Sequence, residues 1–114
     1  MRGSDRLPSA EVHYIWHVIK NQEWPTGSTL TDYLDSLTEV VLDPTSGVFI
    51  SRYQGALQIG FMRRCGAWRG PGGLGWILVE YRVNFGHWVT AYQVEFQDVY
   101  HPRRSHVRWL TEPR

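Results

Sequence analysis

The spacing of apolar residues changes period once along the chain, at about Gly47, and this change restricts the fold more than any other feature. Before it, apolar positions recur every three to four residues. After it they alternate, so helices precede strands. The expectation is an α+β domain in which two N-terminal helices pack on a four-stranded antiparallel β-meander, followed by a basic C-terminal extension.

The first helix is expected to start at Pro8-Ser9, with Ser9 as N-cap and Glu11 in the first turn. Val12, Ile15, Trp16 and Ile19 form its expected buried stripe, with His13, His17 and Lys20 on the opposite side. Trp24-Pro25-Thr26-Gly27 ends it. A second helix is expected from Ser28 or Thr29. Thr29 and Asp32 make a shortened capping box, and Leu30, Tyr33, Leu34, Leu37 and Val41 a buried face, until Asp43-Pro44 stops the helix.

Four strands follow, read as Val48–Tyr53, Ala56–Arg64, Trp76–Val83 and His87–Phe96. Their connections are Gln54-Gly55, the glycine-rich stretch 66–75 and Asn84-Phe85-Gly86. Alternation sends Leu57, Ile59, Phe61, Ile77, Val79, Tyr81, Val83, Val89 and Ala91 toward the helices. The other face carries Gln58, Gly60, Met62 and Arg64, then Leu78, Glu80 and Arg82, then Trp88, Thr90, Tyr92 and Val94. Such a mixture of aromatic, charged and hydroxyl groups reads as a floor for a ligand. Residues 97–109 form a basic segment with interleaved aromatics, read either as an added strand or as an irregular tail. The expected division is a leader over 1–8, one domain over 9–96 and the extension over 97–114.

A length of 114 residues suffices for one core without staples. The single cysteine, Cys65, excludes a disulfide framework and a cysteine-built zinc site, so no disulfide partner is expected. No apolar run reaches the ~18 residues of a membrane helix, and the first residues lead into no apolar segment of the signal-peptide kind. No membrane partner is expected. Net charge is +1, yet residues 1–50 carry three basic against seven acidic side chains and residues 51–114 nine against four. The basic half suits an anionic partner such as RNA or an acidic protein.

His13 and His17 stand at i, i+4 on one helical face. With His87 or Glu80 they would approach a metal site, but no HExxH pattern accompanies them, so the pair is read for proton transfer rather than for metal. Glu80, Arg82 and Arg64 form a second group. A carboxylate there would take a 2′-hydroxyl proton while guanidinium groups hold a phosphate, against the plainer alternative of a cross-strand salt bridge. Trp68 and Arg69, in the glycine-rich loop, are candidates to stack on a base and meet a phosphate, unless the loop is simply a mobile hairpin tip. Trp88 and Arg52 complete the candidate substrate contacts. Six tryptophans are many for this length. Trp16 is core by periodicity, while some of the others suit a binding surface. No nucleophile elbow, P-loop or dinucleotide fingerprint is present, and no cofactor is expected.

The order of two helices and a four-stranded meander, the His13/His17 pair, Tyr33-Leu34-Asp35-Ser36-Leu37-Thr38-Glu39-Val40-Val41-Leu42-Asp43-Pro44 and Trp88-Val89-Thr90-Ala91-Tyr92 together resemble the small ribonuclease toxins grouped with barnase, EndoU, the tRNA-cleaving colicins and RelE. The resemblance covers residues 9–96, although Gln93 stands where that group usually has proline after its Thr-Ala-Tyr. It implies metal-independent cleavage of tRNA or mRNA by 2′-hydroxyl transesterification. His17 or His13 would then be acid or base, Thr90 a phosphate-contacting hydroxyl and Tyr92 an orienting group. It also implies an RNA substrate, a cognate inhibitor or immunity protein, and a cytoplasmic site of action, with delivery as part of a larger secreted toxin. Arg64 and Arg82 as phosphate charges, and Glu80 as an alternative base, come from strand parity. The competing expectations are a non-catalytic immunity- or adaptor-type module that docks a partner on the aromatic, arginine-rich sheet face, and a small-ligand binder using the same face.

Overall fold

A computed structural model describes residues 9–83 and 88–114, and the side chains of all of these except Ser9 and Trp88. The expected leader, the Ser9 cap, the 84–86 turn, His87 and the Trp88 contact therefore lie outside the described residues. Helix α1 (Ser9–His13) continues as a π-helical segment, Tyr14–Lys20, and helix α2 spans Leu30–Leu42. Thr29 caps α2 as expected. Its hydroxyl accepts from the Asp32 N–H at 3.1 Å, and the Asp32 carboxylate accepts from the Thr29 N–H at 2.9 Å. After Leu42 the Asp43 carboxylate accepts from both the N–H and the hydroxyl of Thr45, and Pro44 precludes a further turn.

Strands β1 (Gly47–Tyr53), β2 (Ala56–Arg64), β3 (Trp76–Arg82), β4 (Trp88–Val94) and β5 (Arg104–Thr111) form one antiparallel sheet in the order β4-β3-β2-β1-β5. The meander is present, but the sheet has five strands rather than four. Residues 104–111, within the segment read as a C-terminal extension, pair antiparallel with β1. The fifth strand has a physical cause in Val107 and Trp109, which supply apolar surface to the sheet. The Trp109 ring meets Phe49 edge-on at 5.0 Å and stacks on Phe96 at 5.7 Å. Among the described residues no helix is long and apolar enough to cross a membrane.

Each face of the sheet carries its own core. On one, Trp24, Tyr33, Leu37, Val40, Ile77, Val79 and Ala91 are buried beneath the helices. On the other, the chain returns from β4 to β5 through a 3-10 turn, Phe96–Tyr100, whose Val99 closes a second core of Phe49, Met62, Leu78 and Val94. Gly60 makes room for this core, because a Cβ there would overlap the Phe49 ring. Part of the face expected to be an open floor is thus dry. The remainder, toward Tyr53 and Arg82, is open. Leu57 and Val83, expected beneath the helices, are exposed, since β3 ends at Arg82 and α2 packs on β2 and β3 without covering their outer ends.

Helix α1 and its continuation pack by the face opposite to the one expected. Val12, Ile15, Trp16 and Ile19, the expected core stripe, are 46%, 49%, 51% and 56% exposed. The packed residues are instead Tyr14, which donates its hydroxyl proton to the Ser28 carbonyl at 2.8 Å, and Val18, which is buried. His13 and His17, expected to face outward, turn inward with them. The spacing itself holds, because the four residues lie together on one face; the sheet edge takes the opposite face, through His17 stacked on Tyr92 and Tyr14 bonded to Ser28. The segment ends with the Asn21 N–H donating to the Trp16 carbonyl at 3.0 Å, an i→i+5 bond. Lys20 lies 4.5 Å over the outward Trp16 ring.

The glycine-rich loop is a docked strap rather than a mobile tip. Gly70 and Gly72 donate to the carbonyls of Glu23 and Gln22 at 2.7 and 2.8 Å, and a Cβ on Gly70 would overlap the Trp24 carbonyl. Four of the six tryptophans are structural in the same way. Trp24 is fully buried and donates to the Ser36 hydroxyl at 2.8 Å, while Trp68, Trp76 and Trp109 pack against the two cores. The expected tryptophan-rich binding face is therefore not assembled from the described side chains.

Candidate functional site

The open part of the second face is a cleft of about 390 Å³ lined by His17, Tyr53, Gln54, Gln58, Glu80, Arg82, Val89, Thr90 and Tyr92. Strand parity places most of this lining. Glu80 pairs with Thr90 and Leu78 with Tyr92 across β3–β4, and Gln58 pairs with Arg82 across β2–β3. A register shift follows Glu80, where Tyr81 pairs with Trp88 and leaves Val89 as the extra residue beside Thr90.

His17 reaches this face because α1 runs along β4, the sheet edge, rather than above its centre. Its ring stacks on Tyr92 at 5.4 Å, with His13 stacked behind it at 5.6 Å. The His17 Nδ1 lies 2.6 Å from Glu23 Oε2. Glu23 is itself buried, and its Oε1 accepts from the Gln93 N–H at 2.7 Å. With Nδ1 donating to this carboxylate, Nε2 is the nitrogen left for chemistry.

Beneath the cleft, Glu80 is ion-paired with Arg104 of β5, and both are almost fully buried. Arg104 also donates to the Val99 carbonyl at 3.0 Å and lies 5.6 Å over the Tyr53 ring. Burial pushes the Glu80 carboxyl above the usual range, and Arg104 pulls against that rise. Burial, and then the Glu80 charge, push the Tyr92 phenol up, so it stays protonated at neutral pH. Burial and the neighbouring His17 lower His13 against a hydrogen bond with the Val89 backbone, which favours its neutral form.

Five expected site residues, His17, Glu80, Arg82, Thr90 and Tyr92, thus share one cleft, and His13 stands directly behind them. The others lie elsewhere. Arg64 lies 4.7 Å over the Trp76 ring, at the end of β2 away from the cleft. The partner of Glu80 is accordingly Arg104, not the Arg64 or Arg82 of the expected trio. Arg52 is exposed and donates to the Gly55 carbonyl at 3.3 Å. Trp68 donates its indole N–H to Glu39 at 2.8 Å, and Arg69 donates to the Gly73 carbonyl at 3.3 Å, so the strap holds both for itself. Among the described residues no group of three or more His, Cys, Asp or Glu side chains is placed to hold a metal ion.

Glu23, Arg104, Tyr53 and Gln54 were not among the expected site residues, and Gln58, which strand parity placed on the expected floor, had been given no role there. Arg104 carried no such signal while its strand was unassigned, and Glu23 sits in a connection without periodicity. Comparison with known proteins found no matching family model, curated protein or solved structure.

Proposed function

We propose that the protein is an endoribonuclease that cleaves RNA by transesterification in this cleft. The observation that carries the reading is the convergence of His17, its Nδ1 held by buried Glu23, with Arg82, Thr90 and Tyr92 around one cavity. His17 Nε2 takes the proton of a ribose 2′-hydroxyl, and the imidazolium formed is stabilised by Glu23. The 2′-oxygen attacks the adjacent phosphorus, the P–O5′ bond breaks, and the 5′-oxygen leaves with a proton from water at the open mouth. The products are a 2′,3′-cyclic phosphate and a 5′-hydroxyl. Arg82 and the Thr90 hydroxyl meet the charge that develops on the phosphoryl oxygens, and Tyr92 orients the substrate. Glu80, paired with Arg104, holds the floor rather than acting as the base. Such an enzyme would act in the cytoplasm and call for a cognate inhibitor in the cell that makes it.

The test is incubation of the protein with total tRNA and rRNA in excess EDTA, read on a denaturing gel beside His17→Ala and Thr90→Ala. Discrete fragments from the wild type, absent with both folded variants, are the expected result. Intact RNA from folded wild-type protein overturns the proposal.

A second reading, a non-catalytic protein-binding module of immunity or adaptor type, is favoured by the exposed apolar stripe Val12, Ile15, Trp16 and Ile19. In that case His17→Ala would leave partner binding intact and Trp16→Ala would abolish it.

A further inference from the structure

We infer that the β1–β2 end of the cleft is a subsite for a nucleobase carrying an amino group, an inference that rests on the cleft being where RNA is cut. Among the described residues, the buried side-chain polar atoms without a hydrogen-bond partner are Ser51 Oγ, Gln58 Oε1, Glu80 Oε2, Arg104 Nε and Gln93 Oε1. The first four belong to one patch. Ser51 pairs with Gln58 across β1–β2, Glu80 pairs with Gly60 two positions along β2, and Arg104 is ion-paired with Glu80. Gln58 and Glu80 line the cavity while being 4% and 1% exposed.

Buried polar groups are almost always satisfied, so a cluster of unsatisfied ones on a cavity floor points to a polar ligand. The kind of atom selects its chemistry. The carbonyl of Gln58 and the carboxylate of Glu80 are acceptors and require donors. A phosphate offers these two acceptors nothing, whereas the amino-bearing edge of guanine, adenine or cytosine supplies N–H groups; uracil has a single N3–H flanked by two carbonyl acceptors. The β4 side of the cleft has the reverse character, with Thr90 and the imidazole of His17 suited to phosphate and ribose, and Arg82 of β3, the cross-strand partner of Gln58, stands between the two. From β4 to β2 is two strand spacings, about 10 Å. A nucleotide with its phosphate beside Thr90 thus places its base over Gln58.

Equilibrium binding of the four nucleoside 3′-monophosphates and of base-free ribose 5-phosphate tests this without requiring turnover. The guanosine, adenosine and cytidine nucleotides are expected to bind about 10-fold more tightly than uridine 3′-monophosphate or ribose 5-phosphate. Gln58→Leu is expected to bring all five within about twofold while leaving ribose 5-phosphate unchanged. Gln58→Met, close in length, is the second variant should leucine disturb the fold. Equal affinity of wild type for all five ligands overturns the subsite, as does a base preference that survives both substitutions. Cleavage of RNA alongside flat mononucleotide affinities removes the subsite and leaves the cleavage reading. Selective binding without any cleavage does the reverse.

Discussion

Glu23 shows how one buried carboxylate can decide what a histidine does. It accepts from the Gln93 N–H at 2.7 Å and from His17 Nδ1 at 2.6 Å, so its position is fixed by β4 and its charge is directed at the imidazole. In the neutral imidazole this contact favours the tautomer with the proton on Nδ1 and the lone pair on Nε2. Replacing Glu23 with Gln keeps the shape and removes the charge. Turnover of RNA by Glu23→Gln is expected to fall about 100-fold with KM within about twofold, the size of effect typical of a lost acid–base group. Two-bond ¹H–¹⁵N correlation, read with the imidazole neutral, should show His17 protonated on Nδ1 in the wild type and a mixture of tautomers in the variant. Glu23→Asp should restore part of both. An unchanged tautomer with full activity would show that Glu23 is only structural. None of this could be read from the sequence, because a glutamate between a helix and a proline has no pattern to belong to. That Thr90, Tyr92, Glu80 and Arg82 share one face was legible, because alternation in a strand fixes the face on which each side chain falls.

At the level of elements, α2 and the first three strands follow from local chemistry, whereas α1 does not. The Thr29/Asp32 box starts α2, and Asp43-Pro44 stops it where the sequence says it should. In α1 the apolar i, i+3, i+4, i+7 pattern is present and nevertheless faces water, while Tyr14, His17 and Val18 face the sheet. Helical periodicity groups the residues of one face but does not say which face packs, and here the sheet edge takes the one carrying Tyr14, His17 and Val18. The two faces can be weighed against each other by mutation. Val18→Ala, which loses two buried carbons, is expected to cost about 2 kcal/mol. Trp16→Gln is expected to change stability by no more than about 0.5 kcal/mol despite the much larger side chain. Urea denaturation of the two variants checks both numbers. The reverse order would mean that the stripe predicted from spacing is the packed one. The glycine-rich connection carries a similar lesson. Its glycines are there for the close approach of Gly70 to the Trp24 carbonyl, which composition alone presents as flexibility.

Across the whole molecule, the cleft is assembled from opposite ends of the chain. His17 and Glu23 arrive along the β4 edge, and Arg104 arrives with β5 at the other edge and meets Glu80 of the inner strand β3. The sequence left this segment open between an added strand and an irregular tail, because its apolar contribution, Val107 and Trp109, is interspersed with Arg, Ser and His and finds its partner only in Phe49 beside it. This topology makes the C-terminal strand part of the floor of the site, and the Glu80–Arg104 pair couples that floor to stability. Arg104→Met leaves the Glu80 carboxylate buried without its cation and is expected to destabilise the fold by about 3 kcal/mol near pH 7.5. The sign with pH follows from burial, which already pushes the Glu80 carboxyl up. Without the opposing guanidinium its folded-state pKa rises further above the unfolded value. Stability of the variant is then present at low pH and lost as pH rises through the folded pKa, so the deficit relative to wild type should be smaller at pH 5 than at pH 7.5. Adding Glu80→Gln to Arg104→Met removes the stranded charge and should recover most of the loss at pH 7.5 while leaving stability nearly flat between the two pH values. Urea midpoints for wild type, single and double variants at both pH values decide the matter. A pH-independent deficit that the double variant fails to repair would assign the role of Arg104 to packing against Phe49 and Tyr53 rather than to its charge.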